Sequence, residues 1–322
     1  MDTLYRKYMP GAYGERAPET VLPVIHVPDL NHMEEWRHRA IMETITELTD
    51  VMRPCFCYEP IMKIKITRTT VLRDGYAIPV CIYHPEGEGP FPVMVYLHGG
   101  AFCVNNPDVY GYVCRYFARF GGILVISPDY RLAPENPFPV GLEDSYAALE
   151  WAARKLPEIG GDPARVSVCG DSSGGNFAAA LCLMSRDRGG PGIYKQALIY
   201  PAVNMLPGPR PQSELRYGNG GYALDLNSEQ GIVPFYFADP RDAASPYASP
   251  LLDTDHQGLP PACFITAECD PLQDHALMYA AKLEDAGVSV EYHLYTGMIH
   301  GFINRAYQKT FEALDAINRF VR

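Results

Sequence analysis

From residue 61 onward, short apolar or β-branched runs alternate with longer stretches whose apolar residues recur three and four positions apart. That alternation predicts a mostly parallel sheet flanked by helices. Eight strands are expected, at Ile61–Thr69, Ala77–Tyr83, Pro92–Leu97, Ile123–Ser127, Val166–Cys169, Gln196–Tyr200, Cys263–Ala267 and Val288–Tyr295. Arg73-Asp74-Gly75 between the first two is a turn signal that predicts an antiparallel hairpin at the sheet edge. Helices are expected at Gly141–Lys155, Gly174–Arg186, Pro271–Ala286 and Asn304–Phe320. In the first of these, Asp144, Ala147, Ala148, Trp151 and Ala152 mark the inward face. Gly287 stops the third, because glycine readily takes the left-handed conformation that ends a helix.

Two segments break the alternation. One is residues 1–60, with a helical stretch from about Asn31 to Met52, and the other is roughly 203–250, rich in proline, glycine, tyrosine and phenylalanine. Insertions of this kind usually lie over an active site, so both are read as pieces of a cap above a catalytic domain spanning 61–322. The competing reading of 203–250 is a surface loop. Its aromatics Tyr217, Tyr222, Phe235, Tyr236 and Phe237 either narrow a pocket or form the core of the cap.

Composition narrows the function. With 322 residues, 47% of them hydrophobic, the chain can bury a large core. Its formal charge of −11, without any basic run, argues against nucleic acid as a partner. Charges occupy Met1–Tyr8, where a signal peptide would place its apolar run, and no stretch approaches the roughly 18 apolar residues of a membrane helix. A cytoplasmic protein is expected. Nine cysteines, an odd number that includes Cys81, Cys169, Cys182 and Cys263 in predicted strands and helices, suit reduced thiols better than a disulfide framework. Cys55 and Cys57 form the one close pair, and with no second pair at matching spacing they read as packing residues rather than metal ligands.

The chemistry concentrates at Gly170-Asp171-Ser172-Ser173-Gly174-Gly175, between a predicted strand and a predicted helix. A serine on so tight a strand-to-helix turn has its hydroxyl lifted above the sheet, and the flanking glycines remove side chains that would collide there. Ser172 is central in the motif and is the expected nucleophile, while the Ser173 N–H becomes an oxyanion donor. Upstream, the strand ending at Leu97 leads into His98-Gly99-Gly100-Ala101, whose Gly100 and Ala101 N–H groups are the other expected donors; taken without the serine motif, the same run reads as a plain glycine turn with His98 bracing the loop. A serine nucleophile needs a base and an acid to orient it. Asp270 and His300 follow predicted strands in the order Ser, acid, His, and they are preferred over Glu268, Asp274 and His293.

Together these residues resemble the hormone-sensitive-lipase-like branch of the α/β-hydrolases. The resemblance extends to Asp129-Tyr130-Arg131-Leu132-Ala133-Pro134-Glu135, Glu143-Asp144, Asp270-Pro271-Leu272 and His300-Gly301-Phe302. Ala101 stands where the family most often has a third glycine, Ser173 replaces an alanine, and Phe102-Cys103-Val104-Asn105-Asn106 lacks a glycine often found there. The resemblance implies a carboxylesterase that cleaves short-chain, acetyl-like esters of small molecules through an acyl-enzyme, without metal or cofactor; between a monomer and a homodimer joined through an edge strand the sequence makes no choice. An amidase or peptidase on the same scaffold is the alternative, although such peptidases often carry a large extra domain. The family also includes plant hormone receptors that have lost the histidine; the presence of His300 favours an enzyme.

Overall fold

The computed structural model describes residues 33–35, 37, 63–226, 233–305 and 307–322. Its centre is an eight-stranded sheet in the order β1-β2-β4-β3-β5-β6-β7-β8. The strands are β1 Lys65–Arg73, β2 Tyr76–His84, β3 Phe91–Leu97, β4 Leu124–Pro128, β5 Gly161–Asp171, β6 Gln196–Ile199, β7 Ala262–Cys269 and β8 Val290–Ile299. β1 and β2 form the expected hairpin, with Arg73 opposite Tyr76 and β2 antiparallel to β4. Asp74 (φ 49°) and Gly75 (φ 77°) both take the left-handed conformation that a two-residue turn needs to match strand twist. Every later pairing is parallel. β3, β4, β6 and β7 are covered on both faces, which is why they read as continuous apolar runs rather than alternating ones.

The helices are α1 Gly111–Tyr116, continued by a π-helical turn at Phe117–Gly121, then α2 Val140–Ile159, α3 Ser173–Arg188, α4 Gln212–Tyr217, α5 Val233–Tyr236, α6 Gln273–Asp285 and α7 Gln308–Val321. α2, α3 and α6 share one apolar core, and α1 and α7 cover the other face of the sheet. Asp144, Ala148 and Ala152 of α2 are fully buried, in agreement with the expected inward face. Gly287 (φ 83°) follows α6 in the left-handed conformation. α1 has no counterpart among the helices expected from the sequence.

The proposed N-terminal cap piece at 1–60, with Cys55 and Cys57, lies outside the described residues apart from 33–35 and 37. The other seven cysteines are buried and unbridged. Among the described residues no helix is long and apolar enough to cross a membrane. The 203–250 segment holds α4, α5 and short 3-10 turns at Pro240–Ala244 and Pro250–Leu252. Tyr217, Tyr236 and Phe237 are buried within it, so these three aromatics are core rather than exposed surface.

Candidate active site

Crowding at the turn after β5 explains its glycines. A Cβ on Gly170 would sit 2.3 Å from the Gly174 oxygen, one on Gly174 would sit 2.0 Å from the Leu97 oxygen, and one on Gly175 would press on Pro201 at 2.9 Å. Ser172 takes φ 54° and ψ −117° immediately before α3, a conformation a non-glycine residue adopts only when its surroundings enforce it. Its backbone is held by Ser172 N–H donating to Ile199 O at 2.9 Å, and its carbonyl accepts from the N–H groups of Asn176 at 3.0 Å and Ala202 at 3.1 Å. The Ser172 side chain remains partly open to solvent.

Asp270 directly follows β7, and His300 directly follows β8. Because the two strands are parallel neighbours, their C-terminal ends deliver both residues to the edge of the sheet where β5 ends in the serine turn. His300 Nε2 lies 2.9 Å from Ser172 Oγ, and His300 Nδ1 lies 2.8 Å from Asp270 Oδ2. Asp270 is 1% exposed and His300 6%. Asp270 Oδ1 also accepts from Leu272 N–H at 2.8 Å, which fixes the carboxylate plane. With Nδ1–H donating to Asp270, Nε2 is left to accept the serine proton, the arrangement that makes a hydroxyl nucleophilic. The Tyr200 ring packs 4.6 Å from the imidazole.

The two rival acids are held by other partners. Glu268 Oε2 accepts from Gly297 N–H at 2.7 Å, tying β7 to the end of β8. Asp274 stands in the first turn of α6, is fully buried and accepts from Ser213 N–H at 2.9 Å, so it anchors α4. His293 lies in the middle of β8, as expected.

The turn expected to hold the oxyanion donors is strongly bent. Gly100 has φ 134°, and a Cβ there would meet the Val104 oxygen at 2.0 Å, while Ala101, Phe102 and Asn105 take φ 51°, 67° and 76°. Asn105, a side chain that tolerates the left-handed region, thus serves in the stretch that lacks glycine, and its Nδ2 donates to Gly99 O at 3.1 Å. The N–H groups of Gly100, Ala101 and Ser173 donate to no acceptor among the described residues. His98 is fully buried, its ring stacked 4.2 Å from Tyr130 and its Nδ1 2.9 Å from Gly99 O, so it does brace the loop. Burial pushes its pKa down to about 4, keeping it neutral. Behind the turn, the Phe102 ring stacks on Tyr236 at 3.7 Å, joining the 203–250 segment to it. From the N-terminal side, Arg37 Nε donates to Cys103 O at 2.7 Å and pairs with Glu135.

One residue inside the serine motif has a part that sequence reasoning did not assign. Asp171 is 1% exposed; its Oδ1 accepts from Gly99 N–H at 2.8 Å and Tyr96 O–H at 3.1 Å, and its Oδ2 from Tyr110 O–H at 2.8 Å. Burial raises its pKa to about 6 against the opposing pull of those donors. It therefore fixes the spacing between the oxyanion turn and the serine. A Cβ on Gly99 would lie 2.3 Å from its carboxylate, so the glycine is needed as much for this contact as for the turn. An ionisable residue next to the serine was the available signal.

A sequence profile of an α/β-hydrolase-fold family matches residues 94–304. Carboxylesterase NlhH of Mycobacterium tuberculosis is 38% identical over 265 residues, covering 77% of this chain and 78% of the relative. The ethyl acetate hydrolase of Pseudomonas putida is 35% identical, covering 72% of this chain and 73% of its own. Among solved structures, a hyperthermophilic esterase from the archaeon Pyrobaculum calidifontis superposes with a TM-score of 0.82 at 35% identity, covering 90% of this chain and 92% of its own. The strand order, the turn after β5 and these similarities together place the chain in the hormone-sensitive-lipase-like carboxylesterase family of the α/β-hydrolase fold, as a carboxylic ester hydrolase.

Proposed function

We propose that the chain hydrolyses short-chain, acetyl-like esters of small alcohols through an acyl-enzyme on Ser172, with His300 as general base and Asp270 as the orienting acid. The observation that carries this reading is the continuous chain from Ser172 Oγ through His300 Nε2 and Nδ1 to Asp270 Oδ2, at 2.9 and 2.8 Å. His300 takes the Ser172 proton as Oγ attacks the ester carbonyl carbon. The oxyanion is met by the N–H groups of Gly100, Ala101 and Ser173, each such donor being worth about 3 kcal/mol. His300 then protonates the leaving alkoxide, and a water molecule repeats the cycle to free the acid. No step calls for a metal or cofactor.

The preference for short acyl groups is supported by the name of the ethyl acetate hydrolase relative. The 203–250 segment is read as a cap piece over the catalytic domain of 61–322. The seven cysteines among the described residues are unbridged, which suits a reducing, cytoplasmic setting, and a monomer or a homodimer is the expected assembly.

Ser172→Ala is expected to lower ester hydrolysis by about 10⁴-fold or more and to abolish labelling by a fluorophosphonate, with the circular dichroism spectrum unchanged. Labelling of the folded Ser172→Ala variant would overturn the assignment. Rates on acetate, butyrate and octanoate esters, with an acetanilide as the amide control, test the substrate class. The acetate is expected to be fastest and the amide to be inert.

A further inference from the structure

β8 is the edge strand of the sheet, and its residues Glu291 and His293 lie two apart, so their side chains stand on one face. The register sets Cys263 of β7 opposite Glu291 and Ile265 opposite His293, placing a buried thiol beside both groups. One sulfur, one carboxylate oxygen and one imidazole nitrogen therefore come within 4.8 Å of one another. This trio occupies the sheet face covered by α7. Cys263 lies seven residues before Asp270, so the cluster is roughly 20 Å along the strand from the serine end of the sheet.

Two features distinguish the trio from an ordinary surface cluster. Glu291 Oε2 and His293 Nε2 are 3.5 Å apart, too far for a good hydrogen bond, yet close to the roughly 3.3 Å that separates oxygen and nitrogen ligands of a tetrahedral zinc ion with bonds of about 2.0–2.1 Å. His293 Nε2 is buried and has no hydrogen-bond partner, although half of its neighbour Glu291 reaches solvent and offers a way in. The site is thus a sulfur, a nitrogen and an oxygen of the kinds that zinc-class ions select.

We propose that Cys263, Glu291 and His293 bind one zinc-class divalent cation, with water completing four-coordination, and that the ion clamps the edge strand to β7. With metal–ligand bonds of about 2.0–2.3 Å, a tetrahedral ion needs its ligand atoms about 3.3–3.6 Å apart, so the sulfur must close in from within 4.8 Å when the ion binds. On binding, the Cys263 S–H bond breaks, its proton leaves to solvent, and the sulfur pair forms the bond to the metal. Thiolate and carboxylate neutralise the dication.

The test is titration of the full, chelator-treated chain with Co²⁺ and then Zn²⁺. One Co²⁺ per chain is expected, with a thiolate-to-metal absorption band in the near ultraviolet, and Zn²⁺ at a hundredfold excess over its Kd is expected to raise Tm by roughly 4 °C. Cys263→Ser and His293→Ala are expected to abolish the band and the shift. The exposed Glu291→Gln is expected to weaken affinity about tenfold while leaving the metal-free Tm unchanged, which separates ligand loss from misfolding. A Cys55→Ser, Cys57→Ser double variant is expected to bind as the native chain does. A band that survives Cys263→Ser, one that disappears with the Cys55 and Cys57 replacements, or no stoichiometric Co²⁺ binding would overturn the proposal.

Discussion

His98 shows how a single buried residue can carry a pH dependence. Its ring is fully enclosed, and burial lowers its pKa from 6.5 to about 4 in the folded chain. A base whose folded pKa is depressed contributes stability that is fully present above the unfolded value of 6.5 and is lost as pH falls through about 4. The loss attributable to this one group is about 3 kcal/mol at pH 4. Urea unfolding at pH 7 and pH 4 should therefore show the native chain losing about 3 kcal/mol more than His98→Gln; an equal loss in both would dispose of the argument. The motif His98-Gly99-Gly100-Ala101 was legible as a turn, and His98 as its brace. That the brace is a neutral imidazole stacked on Tyr130 depends on the segment after β4, remote in sequence.

Among elements, the strands were readable as short apolar or β-branched runs, and the four long helices by their length and by the glycines and turns that bound them. α1 left no such signal. Gly111, Val113, Cys114, Tyr116 and, beyond it, Phe117 are all buried, and β-branched or aromatic residues have little intrinsic preference for a helix. Its residues instead meet Tyr96, whose ring lies 6.1 Å from Phe117, and Asp171, through the Tyr110 that precedes the helix. The 203–250 segment is likewise fixed from outside. Asn176, one turn into α3 from Ser172, is fully buried and donates from Nδ2 to Ala202 O and Ala248 O, each at 2.7 Å, holding both stems of the segment. Asn176→Ala leaves two buried carbonyls without a donor and should cost about 2–4 kcal/mol in chemical unfolding. A loss below 1 kcal/mol would show the stems to be held by packing alone.

Across the whole molecule, Asp144 joins three remote parts. It is fully buried, and its carboxylate accepts from Arg73 Nη1 at 2.9 Å at the hairpin and from Arg131 Nε and Nη2, each at 2.8 Å, in the segment after β4. Both arginines are about one-fifth exposed, so water screens part of the charge they would be left with. Asp144→Ala should therefore cost about 2–3 kcal/mol, somewhat below the value for a fully buried pair, as read by the denaturation midpoint. The sequence by itself determined the sheet-and-helix class, the serine turn and the candidate acid and base, because these rest on local sterics: period, glycine and chain order. Only the tertiary structure decided which acid faces His300, what Asp171 and Asp144 hold, and that Cys263 meets Glu291 and His293. Those are contacts between residues distant along the chain, set by strand register and helix packing, and no local pattern encodes the distance between them.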